Sequence, residues 1–160
     1  MILTTSRKPG RKTRRLAKVL SRFFNWRYVQ RGKKSIDDFG GKFIIIQEVK
    51  GNPSILKIYD GLEVLSIFFN VGEINKVKMG SEVPIFHGRL PFNIALLKYF
   101  NSLSSDEKFS RKVAQSLDSP KNVFVKRENK KIIFELKYNK IDVVRLITRE
   151  RWIQSNVKIR

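Results

Sequence analysis

Residues 1–34 hold twelve lysines and arginines and no aspartate or glutamate. They are Arg7, Lys8, Arg11, Lys12, Arg14, Arg15, Lys18, Arg22, Arg27, Arg31, Lys33 and Lys34. Guanidinium and ammonium groups in such number pair with phosphates and displace their counterions, so they bind by charge rather than by bond making. The 160-residue chain has 34 basic and 14 acidic residues, a net +20, and twelve of those net charges fall in this opening stretch. So one-sided a field repels itself unless a polyanion neutralises it, and the natural polyanions are nucleic acids and anionic membrane surfaces.

Other reactive groups are sparse. There is no cysteine, hence no disulfide and no thiolate chemistry. The single His87 has no cysteine beside it with which to build a metal site, and is expected to be structural. Gly10-Arg11-Lys12-Thr13 has the ending of a phosphate-binding loop but not the earlier glycine at the required spacing. Asp37 and Asp38 are adjacent carboxylates better explained as helix-start caps than as an acid–base pair. Glu48, Asp60, Glu63 and Glu73 show no spacing suited to a magnesium-dependent nuclease. The expectation is a binding protein, not an enzyme, with no metal and no cofactor.

The cations need a scaffold, and the apolar pattern supplies one. Ile2–Thr5 reads as a short strand, followed by a turn at Ser6-Arg7-Lys8-Pro9-Gly10, with Pro9 suited to a first helical position. Leu16, Val19, Leu20, Phe23 and Phe24 then recur at the spacing of one helix face. The opposite face is Arg11, Lys12, Arg14, Arg15, Lys18 and Arg22, a wholly cationic solvent side. Cations in a first turn oppose the helix dipole, which points to a bound phosphate as their offset. Trp26–Gln30 alternates as a strand. Its Trp26 and Tyr28 share a face; a structural role is the expected reading for them, with stacking on bases as the alternative; Phe23 and Phe24 belong to the core. Arg31-Gly32-Lys33-Lys34 extends the basic surface through a loop.

Further on, Ser35 and Asp38 form a capping-box pattern that runs to Gly40-Gly41. Phe43–Val49, Ile55–Tyr59 and Glu63–Val71 read as strands. Their nearly unbroken apolar runs imply burial on both faces, with helices covering a sheet. Pro91 is expected to open an almost all-round apolar helix through Leu103. Ser104 and Glu107 then cap a helix to Leu117. Asn122–Arg127, Ile132–Tyr138 and Ile141–Thr148 are strands joined by short turns, an antiparallel meander. No period of 20–50 residues is visible. The composition changes at Lys76–Glu82, dividing one domain, 1–160, into halves 1–78 and 79–160.

An apolar fraction of 41% is enough for an ordered core. No run approaches the roughly 18–20 apolar residues of a membrane span. The apolar residues of the N-terminus come before and among its charges, unlike a signal peptide, so a cytoplasmic protein is expected. An organelle transit peptide is the alternative for an arginine-rich, acid-free start, but its strand-and-helix pattern reads as part of a fold. High Lys/Arg content without cysteine is also a feature of thermophilic proteins.

Leu3-Thr4-Thr5-Ser6-Arg7-Lys8-Pro9 resembles the opening of the Brix-domain family of ribosome-biogenesis proteins, whose signature is Thr-Ser-Arg-x-Pro-Ser after a short apolar strand. Thr5, Ser6, Arg7 and Pro9 match, and Gly10 stands where the family has serine. Arg31-Gly32 resembles the family's arginine-glycine step, and Phe43–Val49 with Ile55–Tyr59 its central hairpin. The resemblance covers roughly residues 2–72 and is closest to the compact archaeal members. It implies an α/β fold of mixed sheets in two similar halves, each a sheet covered by helices and similar to the anticodon-binding domain of certain aminoacyl-tRNA synthetases. It also implies a noncatalytic role in pre-rRNA processing or subunit assembly through RNA binding.

The combined expectation is a protein that binds ribosomal RNA or its precursor, alongside ribosomal or assembly proteins. The twelve N-terminal cations are its candidate RNA-binding residues. Two alternatives share the charge: a structural protein of the mature ribosomal subunit, and a basic membrane-surface protein.

Overall fold

The computed structural model describes residues 1–108 and 110–156. The opening apolar residues form β1 (Ile2–Thr5), whose Leu3, Thr4 and Thr5 are buried. Helix α1 (Arg11–Phe23) follows, with Gly10 as its N-cap, so Pro9 lies outside the helix rather than at its first position. The alternating stretch at 26–30 yields only a two-residue strand, β2 (Arg27–Tyr28). A 3-10 turn at Ile36–Phe39 bears the expected cap, the Ser35 N–H donating to Asp38 Oδ2 at 2.8 Å. β3 (Lys42–Val49), β4 (Asn52–Asp60) and β5 (Leu62–Phe68) complete a first antiparallel run.

The apolar stretch expected as one strand over 63–71 is two. After β5 the chain turns at buried Phe69 and begins β6 (Asn70–Ile74), which belongs to a different sheet. Bonds from distant residues fix the break: the Phe69 N–H donates to the Ser54 carbonyl at 2.9 Å, and Thr148 Oγ1 donates to the Phe68 carbonyl at 2.5 Å. An apolar run looks the same whether one sheet buries it or two sheets divide it.

The second half begins with β7 (Ile85–His87), which the sequence pattern did not disclose. The segment after Pro91 is a 3-10 helix over Ile94–Phe100, not an all-round buried α-helix. Leu96, Leu97, Tyr99 and Phe100 are buried, while Ile94, Ala95 and Lys98 face outward. β8 (Leu103–Ser104) precedes α2 (Arg111–Leu117), which starts later than its capping pattern implied. Glu107 Oε2 does accept a backbone N–H, from Ser110 at 2.9 Å. β9 (Lys121–Glu128), β10 (Lys131–Tyr138) and β11 (Ile141–Thr148) form the expected meander. Two-residue turns with positive φ, at Asn129-Lys130 and Asn139-Lys140, suit the twist of the strands they join. A final β12 (Ile153–Ser155) closes the described chain.

Among the described residues the strands make two six-stranded sheets, ordered β12-β5-β4-β3-β1-β2 and β6-β11-β10-β9-β7-β8. The two orders are the same pattern. β1 pairs in parallel with β2 and β3, as β7 does with β8 and β9, and the remaining pairs are antiparallel. Each outermost strand is exchanged: β6 follows β5 in the chain but pairs with β11, whereas β12 follows β11 and pairs with β5. α1 buries Leu16, Ala17, Val19, Leu20 and Phe23 in one apolar cluster that joins Ile44, Ile46, Leu56 and Ile58 of the first sheet to Val123, Phe134 and Leu136 of the second.

Candidate nucleic-acid interface

α1 is not a helix that its own surface favours. Arg11–Arg15, Arg14–Lys18 and Lys18–Arg22 are like-charged pairs four residues apart, each costing about 0.2–0.5 kcal/mol. Burying each of Leu16, Leu20 and Phe23 contributes about 1.5–3 kcal/mol, so tertiary packing outweighs the repulsion. The packing also fixes the helix's rotation. Arg11, Lys12, Arg14, Arg15, Lys18 and Arg22 are all exposed. Among the described residues none of the twelve N-terminal cations lies within ion-pair distance of a carboxylate; the ion pairs present involve Lys57, Lys121, Lys126 and Lys137. The apolar face of α1 is spent in the core and is closed to a lipid surface.

The cationic face borders an open groove. Arg11, Arg14, Arg15, Lys18 and Arg22 line about 450 Å³ of it together with Lys76, which follows β6. At the Arg11 end the groove widens against Gly72, Glu73 and Ile74 of β6. Lys76 was missed in the sequence because it lies 54 positions beyond Arg22; the exchange of β6 into the second sheet brings it to this site.

The start of α1 departs from expectation. Its offsetting anion is internal: the Gly10 N–H donates to Glu48 Oε1 of β3 at 2.5 Å. A carboxylate there suits the positive end of the helix dipole. The parallel register of β1 with β2 and β3 gathers the segments that follow them at one end of the sheet. Arg7 and Lys8 stand there with Arg31 and the Lys50-Gly51 turn. Arg27 begins β2 at the opposite end, toward Arg22. Lys33 and Lys34 are exposed on the crossover to β3, where Arg31 Nε–H donates to the Lys34 carbonyl at 3.1 Å and Lys34 Nζ stands 5.9 Å from the Phe39 ring centroid. Six of the twelve cations thus share the exposed face of α1, and Arg7, Lys8, Arg27, Arg31, Lys33 and Lys34 lie outside the helix.

The interleaved aromatics are taken up inside. Trp26 is 5% exposed, packs beside Phe24 and Phe100, and donates its Nε1–H to the Tyr99 carbonyl at 2.7 Å. Trp26 thus takes the core reading and not base stacking. Its partner on the second half, 73 residues away, lay outside any local pattern. Tyr28 is half-buried against the same core.

The C-terminal end of α1 is held from the second half. Lys121 is fully buried, and its ammonium donates to the Arg22 carbonyl at 2.9 Å and to Asn25 Oδ1 at 3.1 Å. Burial holds this ammonium below the usual lysine range, while Glu82, 4.0 Å away, opposes that shift. Glu82 accepts a hydrogen bond from Tyr138 Oη at 2.9 Å, and its carbonyl accepts from Asn25 Nδ2 at 3.0 Å. Asn101 Nδ2 donates to the Phe24 carbonyl at 2.7 Å. A cation on the last carbonyls of a helix also suits its dipole.

This scaffold has known relatives. Over 116 residues, 70% of this chain and 76% of the relative, it is 48% identical to a probable Brix domain-containing ribosomal biogenesis protein of Archaeoglobus fulgidus. The chain belongs to the Brix domain-containing ribosomal biogenesis proteins. A relative of the same description from Methanosarcina mazei is 35% identical over 63% of this chain and 71% of its own. Two solved structures share the fold. An archaeal Imp4-like protein matches with a TM-score of 0.76 at 24% identity, covering 98% of this chain and 99% of that one. A probable ribosomal biogenesis protein from Aeropyrum pernix K1 matches with a TM-score of 0.63 at 15% identity, covering 99% and 97%. No family model matches the chain.

The Brix signature residues shape the turn into α1. Thr5 is buried, its hydroxyl donating to the Ser6 carbonyl, and the Ser6 N–H donates to the Ile46 carbonyl at 3.1 Å. A side chain at Gly10 would bring its Cβ to 3.3 Å from Glu48 Oε1 and 3.6 Å from the Gly51 carbonyl. Glycine thus lets the helix start close against the β3–β4 hairpin.

His87 has a structural setting in this Brix fold. Its ring stacks on Phe124 at 4.9 Å, Nε2 meets Asn122 Oδ1 at 2.7 Å, and Nδ1 meets Ser105 Oγ at 2.8 Å. The position matching His87 in the first sheet is Thr4, which makes the analogous tie, donating to the Val29 carbonyl beyond β2. Among the described residues no group of three or more histidines, aspartates or glutamates could hold a metal ion, and no helix is long and apolar enough to cross a membrane.

Proposed function

We propose that this Brix-domain protein binds structured ribosomal RNA or its precursor during subunit assembly, through the cationic face of α1 and the loop before it. Its contribution is binding and positioning rather than catalysis. The observation that carries the reading is the exposed row Arg11, Lys12, Arg14, Arg15, Lys18 and Arg22 on a helix whose other face is core. A folded protein that keeps such a row without carboxylate partners has an external polyanion to offset it. Relatives named as ribosomal biogenesis proteins point to ribosomal RNA as that polyanion, with ribosomal or assembly proteins as further partners. Arg7, Lys8 and Arg31 extend the surface at one end of the first sheet; Arg27, Lys33 and Lys34 are secondary contacts.

Replacing Arg11, Lys12, Arg14 and Arg15 together by glutamine tests this. Affinity for ribosomal RNA fragments should fall at least about tenfold, and the slope of log K against log salt should flatten by about three to four. Circular dichroism should show an unchanged fold. Unchanged affinity would refute the assignment. Sedimentation with precursor rather than mature subunits separates an assembly factor from a structural ribosomal protein.

A further inference from the structure

We propose that the groove between α1 and β6 seats the phosphate backbone of one strand of base-paired RNA, with Lys76 as its far wall. This rests on the RNA-binding reading of α1 and specifies which form of RNA the site takes. Three features carry it.

The first is spacing. Arg11, Arg15, Lys18 and Arg22 recur at intervals of four, three and four residues, one cation per helical turn. At about 5.4 Å per turn the row extends about 16 Å and offers a charge at intervals comparable to successive phosphates on one strand. Lys76 faces it across the groove, so a backbone lying along the helix meets cations on both sides. Glu73 stands at the Arg11 end and bounds the run there.

The second is the absence of a stacking platform. None of the residues lining the groove is aromatic. Phe23, Phe24 and Trp26, the aromatics nearest in sequence, are in the core. Proteins that hold single strands gain much of their affinity from bases stacked on aromatic rings. A groove that meets only the backbone favours RNA whose bases are already stacked and paired with each other, recognised by shape and phosphate position.

The third is rigidity. α1 is packed along its apolar face, and its C-terminal end is bonded to Lys121 and Asn101 of the second half. A fixed row of cations matches a stiff duplex backbone without ordering cost on the protein side.

The test is fluorescence anisotropy with the full chain against an RNA duplex of about 16 base pairs and an unstructured single strand of the same length, across a salt series. The duplex should bind about tenfold more tightly. Lys76→Gln should weaken duplex binding about threefold or more and lower the salt slope by about one, with the circular dichroism spectrum unchanged. Equal or tighter binding of the single strand, or a Lys76→Gln variant indistinguishable from wild type, overturns the proposal. Loss of all RNA binding in the four-glutamine variant alongside a single-strand preference would refute the duplex assignment alone. Retained binding in that variant would refute the RNA-binding reading of α1 as well.

Discussion

At the scale of single residues, most of what this chain exposes is charge, and its perturbed groups lie inside. Tyr99 is the example. Its side chain is buried, and its hydroxyl donates to Asp60 Oδ2 at 2.7 Å. Burial, followed by the hydrogen bond to Asp60 and that carboxylate's charge, pushes its pKa up from 10.0 to about 12. A phenol that holds its proton more tightly when folded stabilises the fold fully below pH 10, and the contribution is lost as pH rises toward 12. Buried Lys121 acts oppositely: its lowered pKa means the cost of charging it in the fold is relieved as pH rises toward 10.5. The informative comparison is therefore wild type against Tyr99→Phe. In an ultraviolet titration, one of the four tyrosines should ionise near pH 12, and Tyr99→Phe should remove that late step. The alkaline fall in denaturant stability should shrink with it. A titration with no late step near pH 12 would show that Tyr99 is not held in solution by this burial and this Asp60 contact.

At the scale of elements, α1 is the unit that matters. The 3.6-residue period of Leu16, Leu20 and Phe23 made it legible, because a helix face repeats locally. What holds its end was illegible: Lys121 is one of 34 basic residues, and nothing in its neighbourhood marks it as the buried one. Lys121→Met keeps the stem but leaves the Arg22 carbonyl and Asn25 Oδ1 without their donor. It is expected to cost about 1–3 kcal/mol in chemical denaturation. Amide exchange should rise more in the last turn of α1 than in β3 and β4. Uniform loosening of helix and sheet would show that Lys121 does not anchor this helix end.

At the scale of the whole molecule, the exchange of β6 and β12 joins the halves. Each sheet completes its outer edge with a strand from the other half's run of chain. The apolar cluster continues through both, with Leu20, Phe24, Leu56 and Ile67 meeting Phe86, Phe100, Val123 and Phe134. Fragments 1–78 and 79–160 would each carry the other's edge strand and expose half of a shared core. Expressed separately, they should lack a cooperative thermal transition, and mixing should restore it. Two fragments that each melt sharply alone would show that exchange and shared core contribute little to stability.

The sequence by itself determined the strand-turn-helix opening, the cationic face of α1, the β3–β4 hairpin and the β9–β11 meander, and the resemblance to the Brix family. Each rests on local order: a period of 3.6, an unbroken apolar run, a two-residue turn, or a short signature. Tertiary structure decided the rest. It divided the 63–71 run at Phe69, sent β6 across to the second sheet, buried Trp26 and Lys121, supplied Glu48 as the anion at the helix start and placed Lys76 opposite α1. It also revealed the matching order of the two sheets, although no repeat is visible in the residues. These depend on contacts between positions tens of residues apart. Only the packed chain fixes those contacts, since burial rewards apolar character and total volume without recording which distant partner provides the cover.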